Sequence, residues 1–315
     1  MRYASFTDLH SALGVLRARG ETAAALALLS QHADAFDRHR ALIYLSEAEL
    51  LAESGRPTDA FEVLDRALAH GCRYRREWLK TNPRLTSVVA LAGFSEFASR
   101  SQSRWDAAVA ESKPGLTLLM PQGAAPSSGR PILVVLHGNN SSMAETVPFW
   151  SSAADHGWIT AVLQSSEPGA TPGAFTWNDR DKTDQEVRMH LEAISRDVHV
   201  DEGAIVLAGF SMGALQAVAL VITGRVRAHG VVPIAAWLPH IGEFTSLANS
   251  GKASIRPTYV VIGSEDPSDL GAKQLVALVS RHGGRAHLDE RPGLGHEYPN
   301  DMASTLVRAL AFVSE

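Results

Sequence analysis

A serine flanked by glycines stands where a short apolar run meets a run of helix-forming residues. Residues 204–208 are apolar and of strand length, 209–213 read Gly-Phe-Ser-Met-Gly, and 214–222 favour a helix. The two glycines remove side chains that would collide in such a tight turn. Ser211 would then sit at the carboxyl end of a strand, beside the N–H groups and positive dipole end of a helix. The pattern predicts a nucleophilic serine. The alternative is a strand-to-helix turn in which the glycines only make the backbone flexible and the serine has no chemical role.

An acid and a histidine follow later strand-like runs. A serine hydroxyl is a weak nucleophile, so it needs a base within hydrogen-bond reach and an acid that orients the base. Asp266 comes just after the buried run at 257–262, which places it at the same sheet edge as the serine. It is preferred to Glu265, which should point the other way, and to Asp269, which should open the next helix. His296, on a glycine-flanked loop, is the predicted base; the alternative is a solvent-exposed loop histidine.

These stretches, taken together, resemble a known family. The matching pieces are Leu136-His137-Gly138, Ala208-Gly209-Phe210-Ser211-Met212-Gly213, Gly263-Ser264-Glu265-Asp266 and Gly295-His296. The chain from about residue 116 to 315, near two-thirds of its length, is similar to the carboxylesterase, phospholipase and dienelactone-hydrolase-like branch of the α/β-hydrolases. The resemblance implies a serine hydrolase of carboxylic esters or thioesters that forms an acyl-enzyme on a Ser-Asp-His triad. Dienelactone hydrolases proper use a cysteine nucleophile, so the serine here favours esterase chemistry.

The same resemblance assigns the backbone donors that stabilise the oxyanion. Residues 131–136 form the strongest buried-strand candidate, and a strand ending in His-Gly leads the oxyanion loop in α/β-hydrolases. The predicted donors are the N–H groups of Asn139 and Met212, and Gly138 lets the backbone approach the substrate carbonyl. His137 is predicted either to line the substrate site or, the favoured interpretation, to brace the loop by hydrogen bonding.

Two tryptophans are further candidates for substrate binding. Trp177 lies in the long polar segment 164–184, which leaves a predicted strand, and Trp237 lies in 236–240 after another one. Each is predicted to wall an acyl pocket or to pin its loop to the body, and the sequence does not separate these two roles.

The chain divides into two regions of different periodicity. Apolar residues recur at three and four from 6 to about 110, which predicts helices, whereas β-branched runs alternate with helical stretches from 116 onward. We therefore expect a small all-α, helical-repeat-like domain at 1–112 and an α/β-hydrolase fold at 113–315, with a mostly parallel sheet and helices on both faces. The Pro114-Gly115 pair marks the join.

The helical region contains a weak internal repeat. Residues 19–25 and 54–60 are 35 positions apart, and in each copy a helix ends at a glycine and a second helix begins. This spacing resembles tetratricopeptide repeats, which implies a protein partner or self-association through the N-terminal helices. The alternative is a helical hairpin domain that merely packs on its neighbour.

Composition excludes several classes of protein. The 315 residues, of which 45% are hydrophobic, allow a large core, and the net charge of −5 argues against nucleic-acid binding. The one cysteine forms no intrachain disulfide, and no run of about 18 apolar residues predicts a membrane span. We expect a cytoplasmic protein that acts on a small-molecule ester.

No motif for a metal or cofactor is present. The sequence lacks C-x-x-C, H-E-x-x-H and G-x-G-x-x-G, so we expect no zinc site and no nicotinamide or flavin. Two other functions stay open. One is a prolyl-oligopeptidase-like peptidase, although the helical domain is too small and of the wrong class for that family's β-propeller gate. The other is a non-catalytic scaffold whose helical repeats bind a peptide.

Overall fold

The computed structural model describes residues 6–32 and 35–315, and it separates into two compact units. The first comprises Met1–Ser112 and Glu167–Ala174, and the second comprises Lys113–Ser166 and Phe175–Glu315. This differs from the division expected from the sequence, which assigned 167–174 to the α/β region.

The first unit is helical. Its helices are α1 Phe6–Ala18, α2 Thr22–His32, α3 Arg40–Glu53, α4 Pro57–Ala69, α5 Arg76–Thr81, α6 Thr86–Val89 and α7 Phe94–Glu111. Gly20 and Gly55 adopt positive φ values of 70° and 77° in the turns after α1 and α3, which a residue without Cβ does at no steric cost. The small side chains of Ala25 and Ala60 are fully buried where the following helices pack.

Hydrogen bonds explain why segment 167–174 belongs with the helices. The backbone N–H of Arg73 donates to the carbonyl of Ala170 at 2.9 Å. The N–H of Ala41 donates to the Thr171 hydroxyl at 3.2 Å. Backbone groups that leave water need such partners, so these bonds fix the segment in the first unit. They join residues far apart in sequence, and no local pattern encodes them.

The second unit is a sheet with helices. Its strands in the main sheet are β1 Gly115–Leu119, β2 Arg130–Leu136, β3 Ile159–Gln164, β6 Val200–Phe210, β7 Gly230–Ile234, β8 Thr258–Gly263 and β9 Ala286–Arg291, and the two-residue strand β5 Phe175–Thr176 lies outside that sheet. The other two-residue strand, β4 Glu167–Pro168, belongs to the segment of the first unit. Its helices are α8 Met143–Trp150, α9 Ser152–Asp155, α10 Arg180–Asp197, α11 Met212–Ile222, α12 Ile241–Asn249, α13 Asp269–Arg281 and α14 Met302–Ser314.

The sheet has the order β1-β3-β2-β6-β7-β8-β9, and only β1 pairs antiparallel with its neighbour. Every residue of β7 and of β8 is buried, as expected for parallel strands covered on both faces. The predicted mostly parallel sheet with helices is therefore confirmed. The loops after β2, β6, β7 and β8 leave the same edge, where ligands bind in open α/β sheets.

Across residues 6–32 and 35–315, no helix is long and apolar enough to cross a membrane.

Candidate active site

Ser211 occupies the turn between the central strand and its following helix. β6 ends at Phe210, α11 begins at Met212, and Ser211 between them has a φ of 53° and a ψ of −114°. A non-glycine residue rarely adopts this backbone conformation, and such strain concentrates at functional sites. A Cβ atom on Gly209 would lie 2.6 Å from the carbonyl carbon of Gly213, so the turn closes only with glycine there.

Three side chains form a continuous hydrogen-bonded chain at the carboxyl edge of the sheet. The Nε2 atom of His296 lies 2.8 Å from the Oγ atom of Ser211. Its Nδ1 atom lies 2.8 Å from the Oδ2 atom of Asp266. The tautomer that satisfies both contacts carries its proton on Nδ1 and accepts the serine proton at Nε2. Asp266 is only 2% exposed, and its Oδ1 atom accepts the N–H of Ser268 at 2.8 Å, which fixes the carboxylate plane.

Backbone contacts join the acid loop to the histidine loop. The N–H of Glu265 donates to the carbonyl of Leu294 at 3.0 Å, and the N–H of Gly293 donates to the Ser264 hydroxyl at 2.9 Å. A Cβ atom on Gly263, the last residue of β8, would lie 2.5 Å from the carbonyl carbon of Leu294. Glycine at the end of β8 thus allows the close approach that sets His296 between the acid and the serine. Sequence reasoning missed this role of Gly263, although the glycine itself was part of the recognised motif.

The two rival acids lie elsewhere. Glu265 contacts the histidine loop through its backbone N–H, and its side chain is exposed. Asp269 opens α13, as the sequence indicates, and its carboxylate accepts a hydrogen bond from Lys273 at 2.9 Å.

The backbone donors expected to bind an oxyanion lie in the loop after β2 and at the start of α11. Asn139 follows β2 and Met212 begins α11, and within residues 6–32 and 35–315 neither N–H has an intramolecular acceptor. A Cβ atom on Gly138 would lie 2.9 Å from Cδ1 of Phe210, and one on Gly213 would collide with the carbonyl oxygens of Leu136 and His137. The loop after β2 therefore approaches the serine turn as closely as backbone allows.

His137 braces this loop from inside. It is fully buried, its Nδ1 atom lies 2.8 Å from the carbonyl oxygen of Gly138, and its Nε2 atom accepts the N–H of Ser165 at 3.3 Å. The amide of Gln164 lies 3.0 Å from the same Nε2 atom. Burial lowers the pKa of His137 to about 4, so the ring stays neutral at physiological pH.

The two tryptophans differ in exposure and in their contacts. Trp177 is 1% exposed, its ring centroid lies 4.9 Å from that of His137, and its carbonyl accepts the Gln216 amide N–H at 2.7 Å. Trp177 and His137 are thus both buried and pack against each other. Trp237 is 48% exposed, and its backbone N–H lies 3.4 Å from the carbonyl oxygen of Ser211. Of the two tryptophans, only Trp237 has an exposed side chain, and its backbone adjoins that of Ser211.

Aromatic residues near the histidine were missed by sequence reasoning. Tyr298, two positions after His296, stacks between Phe149 and Phe210. An aromatic side chain close to the histidine in sequence was the available signal, but its ring partners come from distant segments. Among the residues that the structure describes, no group of three or more His, Cys, Asp and Glu side chains lies close enough together to hold a metal ion.

Comparison with known proteins gives one family match. Residues 172–313 match the sequence model of the phospholipase/carboxylesterase family, a stretch that contains Ser211, Asp266 and His296 but not the loop after β2. No curated protein sequence matches.

Solved structures share the fold at low identity. An uncharacterized protein from Bacillus cereus ATCC 10987 is 21% identical over 98% of each chain, with a TM-score of 0.55, so the similarity extends through both units. Esterase PE8 is 15% identical over 64% of this chain and 98% of its own, with a TM-score of 0.53. The BES protein from Bacillus cereus is 18% identical over 65% and 90%, with a TM-score of 0.50. These similarities establish the fold.

Proposed function

We propose that this chain, an α/β-hydrolase of the serine-esterase type, hydrolyses small-molecule carboxylic esters with Ser211 as the nucleophile, His296 as the base and Asp266 as the orienting acid. The observation that carries the proposal is the chain of two 2.8 Å contacts from Asp266 through His296 to Ser211. The buried acid and the strained serine turn support it, because both hold reacting groups in one geometry before substrate arrives.

The reaction follows from the positions of the protons. Nε2 of His296 takes the hydroxyl proton as Ser211 Oγ attacks the ester carbonyl carbon, and Asp266 stabilises the resulting imidazolium. The tetrahedral oxyanion accepts hydrogen bonds from the N–H groups of Asn139 and Met212. As the ester C–O bond breaks, His296 returns the proton to the leaving alcohol. Water, deprotonated by the same histidine, then attacks the acyl carbon; the bond from that carbon to Ser211 Oγ breaks, His296 returns the proton to Oγ, and the carboxylic acid is released.

Uncharged backbone donors suit this chemistry. Donors that belong to the backbone need little reorganisation during the reaction, and removal of one such donor typically costs about 10²–10³ in rate. Hydrolysis of a thioester passes through the same kind of tetrahedral oxyanion, so this mechanism also accepts thioesters as substrates. The backbone of Trp237 adjoins that of Ser211, and on this proposal its exposed ring supplies an apolar surface for the substrate.

The test is covalent labelling with a fluorophosphonate probe, which reacts with activated serines of many specificities. Wild type is expected to label at Ser211, and Ser211→Ala and His296→Ala are expected not to. Ser280→Ala and His229→Ala are matched controls: both residues are exposed, Ser280 on α13 and His229 before β7, and both variants are expected to label like wild type.

Substrate panels distinguish the alternatives. Hydrolysis of esters with little turnover of matched amides is the expected result, whereas comparable amide hydrolysis would favour a peptidase. A folded wild type that neither labels nor hydrolyses esters would overturn the proposal. Association through the N-terminal helices stays a prediction, and binding of a peptide by such an inactive protein would favour the scaffold.

A further inference from the structure

The loop that carries His296 has no regular secondary structure of its own. β9 ends at Arg291 and α14 begins at Met302, and His296 lies in the irregular chain between them. Two contacts of the imidazole, to Asp266 and to Ser211, are polar and lie at opposite ends of one ring. The backbone contacts to the loop after β8 hold this loop at Gly293 and Leu294, before the histidine, so tilting of the ring about the line between its two polar contacts is restrained only if the chain after His296 is also supported.

A stack of three aromatic rings supplies that support. The ring of Tyr298 lies between Phe149 on α8 and Phe210 at the end of β6. Its centroid is 3.9 Å from that of Phe149 at an interplanar angle of 12°, and 4.4 Å from that of Phe210 at 28°. Both partners belong to regular elements, so Tyr298 ties the loop to a helix and to the central strand.

His296 also contacts this aromatic stack, through the ring of Phe210. The ring of Phe210 lies 5.1 Å from the ring of His296 at an angle of 55°. Phe210 directly precedes Ser211, and its backbone pairs with Ile234 of β7. The nucleophile and the surface that supports the base are therefore adjacent residues of one strand end.

The tyrosine hydroxyl makes a weaker contact. The indole N–H of Trp150 donates to it at 3.3 Å, and the two rings meet edge to face at 85°. Burial raises the pKa of Tyr298, so the phenol stays protonated. The two stacking contacts of the Tyr298 ring therefore contribute more than its hydroxyl to holding the loop.

We propose that Tyr298 is a positioning residue for catalysis, whose stacking between Phe149 and Phe210 holds His296 with Nε2 at hydrogen-bond distance from Ser211. The inference rests on the proposed triad mechanism. It assigns the effect to the ring and not to the hydroxyl, so phenylalanine substitutes for tyrosine here and an aliphatic side chain does not. A tyrosine that served packing alone would change stability and leave the chemical step of the folded enzyme unaltered.

The experiment compares Tyr298→Phe and Tyr298→Leu with a matched control, Tyr259→Leu. Tyr259 also stacks in an aromatic group, at 4.7 Å from the ring of His287, but it stands near the start of β8, away from the carboxyl edge. For each variant, kcat and KM on a small ester, the labelling rate of Ser211 and the thermal unfolding midpoint are measured. The downfield proton NMR signal of the His296 Nδ1–H reports its bond to Asp266 without any need for turnover.

Tyr298→Leu is expected to lower kcat by about 10- to 100-fold with little change in KM, because small displacements of a reacting group cost about that much. It is also expected to lose the downfield signal. Tyr298→Phe is expected to retain both the signal and kcat within about threefold, which is under 1 kcal/mol of barrier. Tyr259→Leu is expected to lose stability and keep kcat.

The proposal is overturned if Tyr298→Leu, like Tyr259→Leu, unfolds more easily but keeps its kcat and its downfield signal. If Tyr298→Leu does not fold, Phe149→Ala decides instead: Phe149 is 39% exposed, so its truncation strips one face of the stack at modest cost in stability. The same loss of kcat is expected there, and an unchanged kcat overturns the proposal. A folded wild type that does not label would show that the triad mechanism itself fails. In that case the downfield NMR signal of the Tyr298 variants still tests the positioning role.

Discussion

The carboxylate of Asp266 meets His296 through a single oxygen, Oδ2, which lies 2.8 Å from Nδ1. The other oxygen accepts the backbone N–H of Ser268 at 2.8 Å. Because this second bond fixes the carboxylate, an amide in place of Oδ2 would present a donor to the imidazole and favour the wrong tautomer. Asp266→Asn is therefore expected to keep the fold and to lower kcat by about 10⁴-fold.

Ester turnover and near-ultraviolet circular dichroism of the purified variant check this expectation. Asp269→Asn is the control, because Asp269 is an acid three residues further on that pairs with Lys273. It should retain wild-type kcat. A loss of less than about tenfold in Asp266→Asn, which is 1.4 kcal/mol of barrier, would assign the orienting role to another group.

The serine turn depends on glycine at its entrance. A Cβ atom at 209 would lie 2.6 Å from the carbonyl carbon of Gly213 and 2.8 Å from the backbone nitrogen of Ala214, and backbone atoms cannot move aside cheaply. Gly209→Ala is expected to cost about 2 kcal/mol or more of unfolding free energy and to abolish labelling of Ser211. Chemical denaturation and probe labelling provide the two readouts.

The matched substitution is Gly242→Ala in α12, where an added Cβ would meet nothing within 4 Å. Alanine favours a helix over glycine by about 1 kcal/mol, so this variant should be as stable as wild type or more so. Equal unfolding free energies and equal labelling of Gly209→Ala and Gly242→Ala would mean that the serine turn is not strained in the way its backbone indicates.

The two tryptophans near the site are expected to behave differently. Trp177 is buried against His137, so Trp177→Ala should destabilise the protein by about 3–5 kcal/mol. Trp237 is 48% exposed and its backbone adjoins that of Ser211, so Trp237→Ala should leave the unfolding free energy within about 0.5 kcal/mol of wild type and raise KM for apolar esters. Steady-state kinetics and urea titrations of both variants separate binding from stability. An unchanged KM in Trp237→Ala across short and long acyl chains would remove Trp237 from the substrate site.

The sequence predicted those features that a local pattern encodes. Ser211, Asp266 and His296 each follow a strand-like run, and parallel strands end at one edge, so their proximity follows from the order of elements alone. The mostly parallel sheet follows in the same way from the alternation of runs. Packing between distant segments is not encoded locally. For this reason Trp177 was open between two roles, and the stacking of Tyr298 on Phe149 was missed.

The division of the chain shows the same limit. The change of periodicity near 113 indicates where the helices give way to strands. Segment 167–174 lies far beyond that point, yet its carbonyl and hydroxyl groups bond to Arg73 and Ala41 in the helical unit. Its two glycines and two prolines predict a loop and do not say which unit provides its hydrogen-bond partners.

The neutral state of His137 makes stability depend on pH. Burial lowers the pKa of His137 in the folded chain to about 4, from an ordinary value of 6.5, so the folded state resists a proton that the unfolded state accepts. Between pH 6.5 and 4 the unfolded state therefore binds more protons, and stability falls as the pH is lowered through this window. Above about pH 6.5 neither state is protonated at this ring, and its effect on stability vanishes.

His137→Gln removes this titration while keeping a side chain that can accept the N–H of Ser165. From pH 7 to pH 5, wild type is expected to lose about 2 kcal/mol more unfolding free energy than the variant. Urea titrations followed by tryptophan fluorescence measure the difference, since Trp177 lies against the His137 ring. Burial also lowers the pKa of His39 to about 4, in the helical unit, so the variant should retain part of the pH dependence. Equal losses in wild type and variant would show that His137 takes up a proton in the folded protein as readily as in the unfolded one.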